Sequence, residues 1–446
     1  MVAIFKRLVQ LRQTMLGGHR KPRLRFTAGN DVRIFASGTA LFDALIERID
    51  AAEHAVALET YIFRDDPCGA RVSAALARAV ARGVHVRVIT DGIGTPRSEL
   101  LRAWHDAGIE HRIYNPGVFS VRFGFSRTHR KLAVVDRRYG FCGGHNVVDD
   151  RLEAGHPLPF ARWDYSAEVR GPAVVDLVEA FDLQWRRIQQ ARIPLPPAVP
   201  DERPAHAHGP GSAPAADAAA ARRSTAAGRT HPGDTTPRTA RVRRRALGAL
   251  GTPADVPQVA FVARDNVNNR RAIERAYRLA IRQARDEILV ANPYFVPGRR
   301  MRRELVRAAR RGVRVSLVIG RNEFVALDYA VPFLYQSLLR VGIRIAEYDR
   351  TMLHGKVAVV DGVWGTIGSS NLDALSLVLN HEANLVLFRH PEVAGIRAAI
   401  LEAMAQARAI DPQRYASRPW LVRVANWIAY NGYWLAMKLL TIGSYD

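Results

Sequence analysis

Two stretches of this chain carry a histidine, a lysine and an aspartate at one spacing. The first runs Thr128-His-Arg-Lys-Leu-Ala-Val-Val-Asp136 and leads to Gly143-Gly144-His145-Asn146. The second runs Leu353-His-Gly-Lys-Val-Ala-Val-Val-Asp361 and leads to Gly368-Ser369-Ser370-Asn371. Both obey H-x-K-x-x-x-x-D followed by G-[GS]-x-N. Three fixed positions match by chance at about one start in eight thousand, so one copy alone is weak and two with matching tails are strong. Histidine and lysine two apart at the head of a short apolar strand point to one face. A Gly/Ser tail that turns tightly lets backbone N–H groups approach an anion. A histidine, a lysine and such a cradle together make a phosphate site.

A phosphodiester resists attack because its own charge repels nucleophiles. Without a metal, the reaction can be divided through a covalent phosphohistidine, one imidazole attacking while the other passes a proton to and from the oxygens. Lys131 and Lys356 would neutralise the non-bridging oxygens, and Asn146 and Asn371 would donate hydrogen bonds. Glu382, in Asn380-His-Glu-Ala-Asn384, and Asp164, in Arg162-Trp-Asp-Tyr165, are the carboxylates that could orient the rings. They follow their Asn tails at unequal gaps, which counts against a symmetric pairing. Asp136 and Asp361 belong to the motif, with fixing the strand-loop geometry as their more natural part. His145 reads as structural or as a contact at the rim. No His, Asp, Glu or Cys set has metal spacing once these roles are filled, so neither metal nor cofactor is expected.

The elements that must hold these residues alternate. Strands are expected at Val32–Phe35, His54–Phe63 and Val84–Thr90, with helices at Gly38–Ala52 and Gly69–Arg82. The second half repeats the order: strands at Val259–Val262, Glu287–Ala291 and Val313–Ile319, helices at Asn269–Ala284 and Arg299–Arg311. Ala81-Arg-Gly-Val-His-Val-Arg-Val88 parallels Arg310-Arg-Gly-Val-Arg-Val-Ser-Leu317. The expectation is an α/β fold of two duplicated domains, each a mixed sheet flanked by helices, meeting at a pseudo-two-fold with one composite site. Two motifs in one chain remove any need for a dimer to complete it, and oligomeric state is left open.

These residues resemble the phospholipase D superfamily and, within it, the bacterial cardiolipin synthases of the B type. The likeness rests on the doubled motif, Glu59-Thr-Tyr-Ile-Phe63, Gly143-Gly144-x-Asn146, Gly171-Pro-Ala-Val174, Ala291-Asn-Pro-Tyr-Phe295 and Gly368-Ser-Ser-Asn-Leu-Asp-Ala-Leu-Ser376. It spans most of residues 30 to 415. The resemblance implies His129, Lys131, Asp136, His354, Lys356 and Asp361 as the catalytic set, with His129 as nucleophile and the reverse assignment open. It also implies substrate contacts from Gly143, Gly144, Ser369, Ser370, Tyr61 and Tyr294. The implied activity is transfer of a phosphatidyl group, with phosphatidylglycerol as donor or acceptor and phosphatidylethanolamine as a second candidate. Hydrolysis or exchange of headgroups and a phospholipase D-like nuclease are the alternatives. A decayed, non-enzymatic scaffold is disfavoured because both motifs are intact.

The charge bears on the partner. The chain has 446 residues and a formal net charge of +23, which calls for an anionic surface, either membrane phosphate or nucleic acid, beyond any drift toward arginine. No recognisable nucleic-acid motif is present, so an anionic phospholipid membrane is the expected partner. No run of 18 apolar residues exists, and the two cysteines, Cys68 and Cys142, suggest neither disulfide nor metal. Peripheral attachment to the cytoplasmic face of a bacterial cell membrane is the expected location.

The expected organisation is a basic amphipathic segment at 1–25, repeat 1 at 26–193, a disordered Pro/Ala/Arg-rich linker at 194–256, repeat 2 at 257–415 and a Trp-rich membrane-associating helix at 416–446. Trp420, Trp427 and Trp434 recur at steps of seven, which suits one face of a helix at a bilayer interface, with packing against the catalytic core as the alternative. Two insertions should flank the substrate entrance: Phe119, Arg122, Phe123, Phe125 and Arg127 in the first half, and Phe324 to Tyr335 in the second.

Overall fold

The computed structural model describes residues 24–95, 98–116, 126–153, 156–190, 256–266, 269–321 and 325–440. Most of the N-terminal segment, nearly all the linker, and Phe119, Arg122, Phe123, Phe125 and Phe324 lie outside the described residues.

Duplication is visible in the order of the strands. One sheet runs Asp31–Phe35, Ser166–Arg170, Tyr139–Gly143, Leu132–Val135, Ala55–Thr60, His85–Asp91 and Glu110–Tyr114. The other runs in the same order through Gln258–Arg264, Glu382–Phe388, Trp364–Gly368, Lys356–Val360, Glu287–Asn292, Arg314–Gly320 and Arg344–Tyr348, with Thr27–Ala28 and Arg408–Ala409 added at its edges. In each sheet the three strands on the Glu110–Tyr114 or Arg344–Tyr348 side are parallel and the rest antiparallel. Both sheets are therefore mixed and open.

The parallel strands need crossovers, and amphipathic helices supply them. Gly38–Asp50 starts where the Ser37 hydroxyl accepts from the Ala40 N–H, and Pro67–Ala81 where Asp66 accepts from the Gly69 N–H at 2.9 Å, with Pro67 preset for the first turn. Their apolar faces pack on the outer side of the first sheet through Leu45, Ile49, Val72 and Leu76. Ala272–Gln283, Arg299–Arg310 and Pro332–Leu339 cover the outer side of the second.

Between the sheets lies a shared core. Helix Val174–Gln190 contributes Val174, Leu177, Phe181 and Ile188, helix Glu392–Gln406 contributes Val393, Ile396, Ile400 and Ala403, and Leu132, Val134, Val357, Val359 and Leu385 come from the strands. The expected repeats are thus halves of one compact unit, sharing their inner layer. Burying a side chain of this kind is worth about 1.5–3 kcal/mol, so the halves are joined by a hydrophobic core of their own.

Each motif strand ends in a hairpin. The Val135 carbonyl accepts from the Arg138 N–H at 3.0 Å across Asp136 and Arg137, whose φ angles are 49° and 56°. Across Asp361 and Gly362, at 51° and 65°, the Val363 N–H donates to the Val360 carbonyl in the same way. Left-handed pairs of this kind match the twist of the flanking strands. Aspartate tolerates the conformation, and here it gains hydrogen bonds in return.

Candidate active site

The two motif strands begin at the junction of the halves. Thr128 pairs with His381 and Leu353 with Trp163 in isolated parallel bridges. Through them the His129 N–H donates to the His381 carbonyl at 2.9 Å, and the His354 N–H to the Trp163 carbonyl at 2.9 Å. The residue after His381 is Glu382, and the residue after Trp163 is Asp164. Each half therefore presents its carboxylate to the histidine of the other. His129 Nδ1 lies 3.1 Å from Glu382 Oε2, and His354 Nδ1 lies 2.6 Å from Asp164 Oδ2. The Ser369 hydroxyl donates to Glu382, and its carbonyl stands 3.2 Å from His129 Nδ1.

The lysines sit beside their histidines. Lys131 Nζ donates to the His129 carbonyl at 2.8 Å, and Lys356 Nζ donates to the His354 carbonyl. With Nδ1 of each ring held by a carboxylate, Nε2 is the atom left for chemistry. Both rings keep an opening to solvent, their side chains being 13% and 18% exposed, while the two carboxylates are buried.

Charge in the cluster follows from burial and crowding. Burial pushes the Lys131 ammonium down to about 7, with Glu382 opposing and Lys356 assisting. Burial lowers His354 to about 3, aided by Lys356 and resisted by Asp164. His129 moves down for the same first reason, with Glu382 pulling the other way. Burial works against the charge of Asp164, yet His145, His354 and Lys356 hold its carboxyl well below the usual range. Glu382 likewise stays low, His129 and Lys131 outweighing its burial. Before an anion arrives, this pocket carries fewer protons than free side chains would at pH 7.

Asp136 and Asp361 are not brought to the histidines. At about 3.3 Å per residue they stand about 20 Å further along the motif. Asp136 accepts the N–H groups of Glu53, His54 and Ala55 at 2.9, 2.9 and 2.8 Å, and Asp361 those of Arg285, Asp286 and Glu287 at 2.9, 2.8 and 3.0 Å. They splice each hairpin to the strand beside it.

At the tails, three of the amides expected to meet an anion are engaged within the protein. Gly143 N–H donates to the Lys131 carbonyl at 3.2 Å, Gly144 N–H to the Tyr165 carbonyl at 2.9 Å and Ser369 N–H to the Ala383 carbonyl at 2.9 Å, so these amides are spent in the sheet. The glycines answer a different need. A Cβ on Gly143 would lie 2.0 Å from Ser166 Oγ, and one on Gly144 would lie 2.0 Å from Asp164 Oδ1. Small residues there let the carboxylate strand come close enough to reach His354.

Of the remaining expected residues, the Tyr61 ring centroid is 5.1 Å from that of His129, and Lys131 Nζ is 5.4 Å from the centroid of the Tyr61 ring. Asn146 Oδ1 accepts the Ile62 N–H at 3.2 Å. Asn371 Oδ1, Ser370 Oγ and His145 Nε2 are buried without a protein partner, leaving hydrogen-bonding capacity beside the histidines' strands. Tyr294 lines a small cavity with Arg321, Leu327, Asp328, Val331 and Tyr335. Among the described residues no group of three or more His, Cys, Asp or Glu could hold a metal ion.

Asp91 was not singled out in the sequence. It accepts the Thr128 N–H at 2.9 Å, and burial raises it to about 6. Thr128 in turn donates to Glu59 through its hydroxyl.

A family model described as "Cardiolipin synthase, PLD-like domain" matches residues 45–156 and 277–404. Cardiolipin synthase B of Escherichia coli (strain K12) is 34% identical over 80% of this chain and 76% of its own length, and that of Salmonella typhi equals it in both. This chain belongs to the phospholipase D-like cardiolipin synthase family. Cardiolipin synthase of Geobacillus sp. (strain WCH70) is 27% identical over 93% of this chain and 76% of its own. In fold, a phosphatidylserine synthase of Haemophilus influenzae Rd KW20 superposes with a TM-score of 0.60 at 13% identity, covering 98% of this chain and 99% of that one. That likeness is one of fold.

Proposed function

We propose that this chain is a cardiolipin synthase that joins two molecules of phosphatidylglycerol through a phosphohistidine. The observation that carries the reading is the pair of histidines, each oriented at Nδ1 by the carboxylate of the opposite half. A single-step displacement needs one base; two equivalent, carboxylate-held imidazoles suit a reaction in which one forms the covalent bond and the other handles protons.

In the first step His129 Nε2 attacks phosphorus, and the bond to the headgroup oxygen breaks as His354, protonated, gives its proton to the departing glycerol. Lys131 and Lys356 balance the charge on the non-bridging oxygens. In the second, the primary hydroxyl of another phosphatidylglycerol gives its proton to His354 and attacks the phosphohistidine, releasing His129 and forming cardiolipin. Two phosphatidylglycerols become one cardiolipin and one glycerol. The family assignment supports phospholipid chemistry, and the acidic cytoplasmic leaflet, rich in this lipid, is where a chain of +23 would work.

The test is lipid analysis after incubating the purified chain with phosphatidylglycerol vesicles, with and without phosphatidylethanolamine, beside His129→Ala and His354→Ala. Cardiolipin from wild type and from neither variant is expected, together with an alkali-stable, acid-labile phosphatidyl adduct that His129→Ala lacks. Phosphatidic acid as the sole product would make the chain a hydrolase. Cleavage of single-stranded DNA with no lipid product would replace the reading altogether.

A further inference from the structure

Helix Trp420–Leu440 is apolar on two sides. Asn426, Tyr430 and Met437 face the protein: Tyr430 stacks on Phe333 at 4.7 Å between centroids, and Asn426 Nδ2 donates to the Tyr329 carbonyl at 2.9 Å. On the other side Trp420, Leu421, Trp427, Ile428, Leu435 and Leu439 are between 53% and 72% exposed. At 100° per residue they fall within an arc of about 120°, shared with Asn431 and Lys438. Trp434, expected on the face of the other two tryptophans, has drifted to the flank, where it is half-buried and Lys438 Nζ lies 4.6 Å from its centroid. A helix apolar all round is normally buried. This one is half covered.

The neighbouring element extends the patch. Helix Val325–Ala330 packs against the C-terminal helix and exposes Val325 and Tyr329 at 74% and 55%. Its Leu327 and Asp328 line the cavity that holds Tyr294 and Arg321. One short helix therefore has the apolar patch on one side and the cavity at Tyr294 on the other. Charge lies alongside. In Arg299–Arg310, Arg299, Arg300, Arg303, Arg307 and Arg310 are exposed, and the Arg302 guanidinium stands 5.9 Å from the Tyr430 ring centroid, placing that helix against the C-terminal one.

We propose that the exposed faces of Trp420–Leu440 and Val325–Ala330 form one surface that lies in the interface of an anionic phospholipid bilayer and opens onto the cavity at Tyr294. Tryptophan and tyrosine favour that depth, leucine and isoleucine enter the acyl boundary, and the arginine helix meets the headgroup charge. A second copy of the chain would set those arginines against their like. No helix among the described residues is long and apolar enough to cross a membrane, and this surface requires none. The inference rests on the transferase reading, and it names the surface through which the chain would meet its lipid.

Flotation of the full chain with phosphatidylglycerol vesicles and with phosphatidylcholine vesicles tests it, comparing wild type with Trp427→Glu/Ile428→Glu and with the milder Trp420→Ala. Turnover of a short-chain phosphatidylglycerol held below its micelle concentration reports on the site separately. The double variant should bind phosphatidylglycerol vesicles about tenfold more weakly or worse, lose vesicle turnover in parallel and keep its short-chain turnover; Trp420→Ala should fall between. Wild type should prefer the anionic vesicles. Undiminished binding by the double variant would overturn the proposal, as would a wild-type dimer that the variant dissolves while vesicle binding stays the same. Equal binding to phosphatidylcholine would likewise overturn it, since the surface is argued to need an anionic bilayer. Absence of short-chain turnover in wild type would count against the transferase reading and leave docking to be judged by flotation.

Discussion

Replacing Asp164 by asparagine removes a charge while keeping the shape of the side chain. Asp164 Oδ2 is 2.6 Å from His354 Nδ1, with the carboxylate side chain 2% exposed and the ring 18%. Between a carboxylate and an imidazolium whose charge centres are about 4 Å apart, an effective dielectric near 20 gives about 4 kcal/mol. The asparagine carbonyl retains about 1 kcal/mol of that as a neutral hydrogen bond. The remaining ~3 kcal/mol applies whenever His354 must carry its proton, which in the proposed mechanism is the state that releases the leaving alkoxide. We expect kcat for cardiolipin formation to fall about 10²- to 10³-fold. The carboxylate favours the protonated ring, so its loss moves the limb of the pH profile governed by His354 to lower pH. Because both residues act through one proton, Asp164→Asn/His354→Ala should be no worse than His354→Ala. Rates come from thin-layer analysis of labelled lipid, with thermal unfolding run alongside. An Asp164→Asn chain within threefold of wild type, a limb that moves up in pH, or a double variant with additive losses would refute the reasoning.

Asp136→Asn should cost stability and spare chemistry. It weakens three backbone hydrogen bonds at a half-exposed turn, about 1–3 kcal/mol, while kcat per folded molecule stays within threefold; urea unfolding and active-site-normalised kinetics separate the two. Because the folded carboxyl titrates below its unfolded value of 3.8, its stabilisation is present above that value and is lost as pH falls through the lower one, so variant and wild type converge in acid. Lys131→Met should do the reverse, abolishing transfer and raising the melting temperature at pH 7. The folded ammonium titrates at about 7 against 10.5 when free, so the unfolded chain holds the extra proton between these values and wild-type stability rises with pH across them. The stability advantage of the Lys131→Met variant, a few kcal/mol at pH 7, should shrink toward pH 10; a constant advantage would contradict the buried charge.

Chain order carried a good deal of this protein. The two motifs, the repeated strand and helix pattern and the mixed sheets were legible because each is local: valine and isoleucine runs at period two and helices with one apolar stripe declare themselves within a few residues. Element ends differ by one to three residues from expectation, as at Ala55–Thr60 and Arg314–Gly320. The His, Lys and carboxylate residues of the site were named for the same reason.

What tertiary structure decided is who meets whom. Glu382 follows Asn371 by fewer residues than Asp164 follows Asn146, because the first half inserts the hairpin Leu152–Glu153 and His156–Pro157 where the second has the short turn Leu375–Leu379. Counted back from the strands the two agree: Asp164 lies two before Ser166, opposite Gly143, and Glu382 two before Asn384, opposite Gly368. Register within a sheet, rather than distance along the chain, sets position. Likewise no local pattern reveals that each carboxylate serves the other half's histidine, since that depends on Thr128 pairing with His381 and Leu353 with Trp163 across the interface. Spacing identified residue types able to transfer a phosphoryl group. Long-range pairing, which costs chain entropy and is repaid only once both halves have folded, decided which atoms face one another.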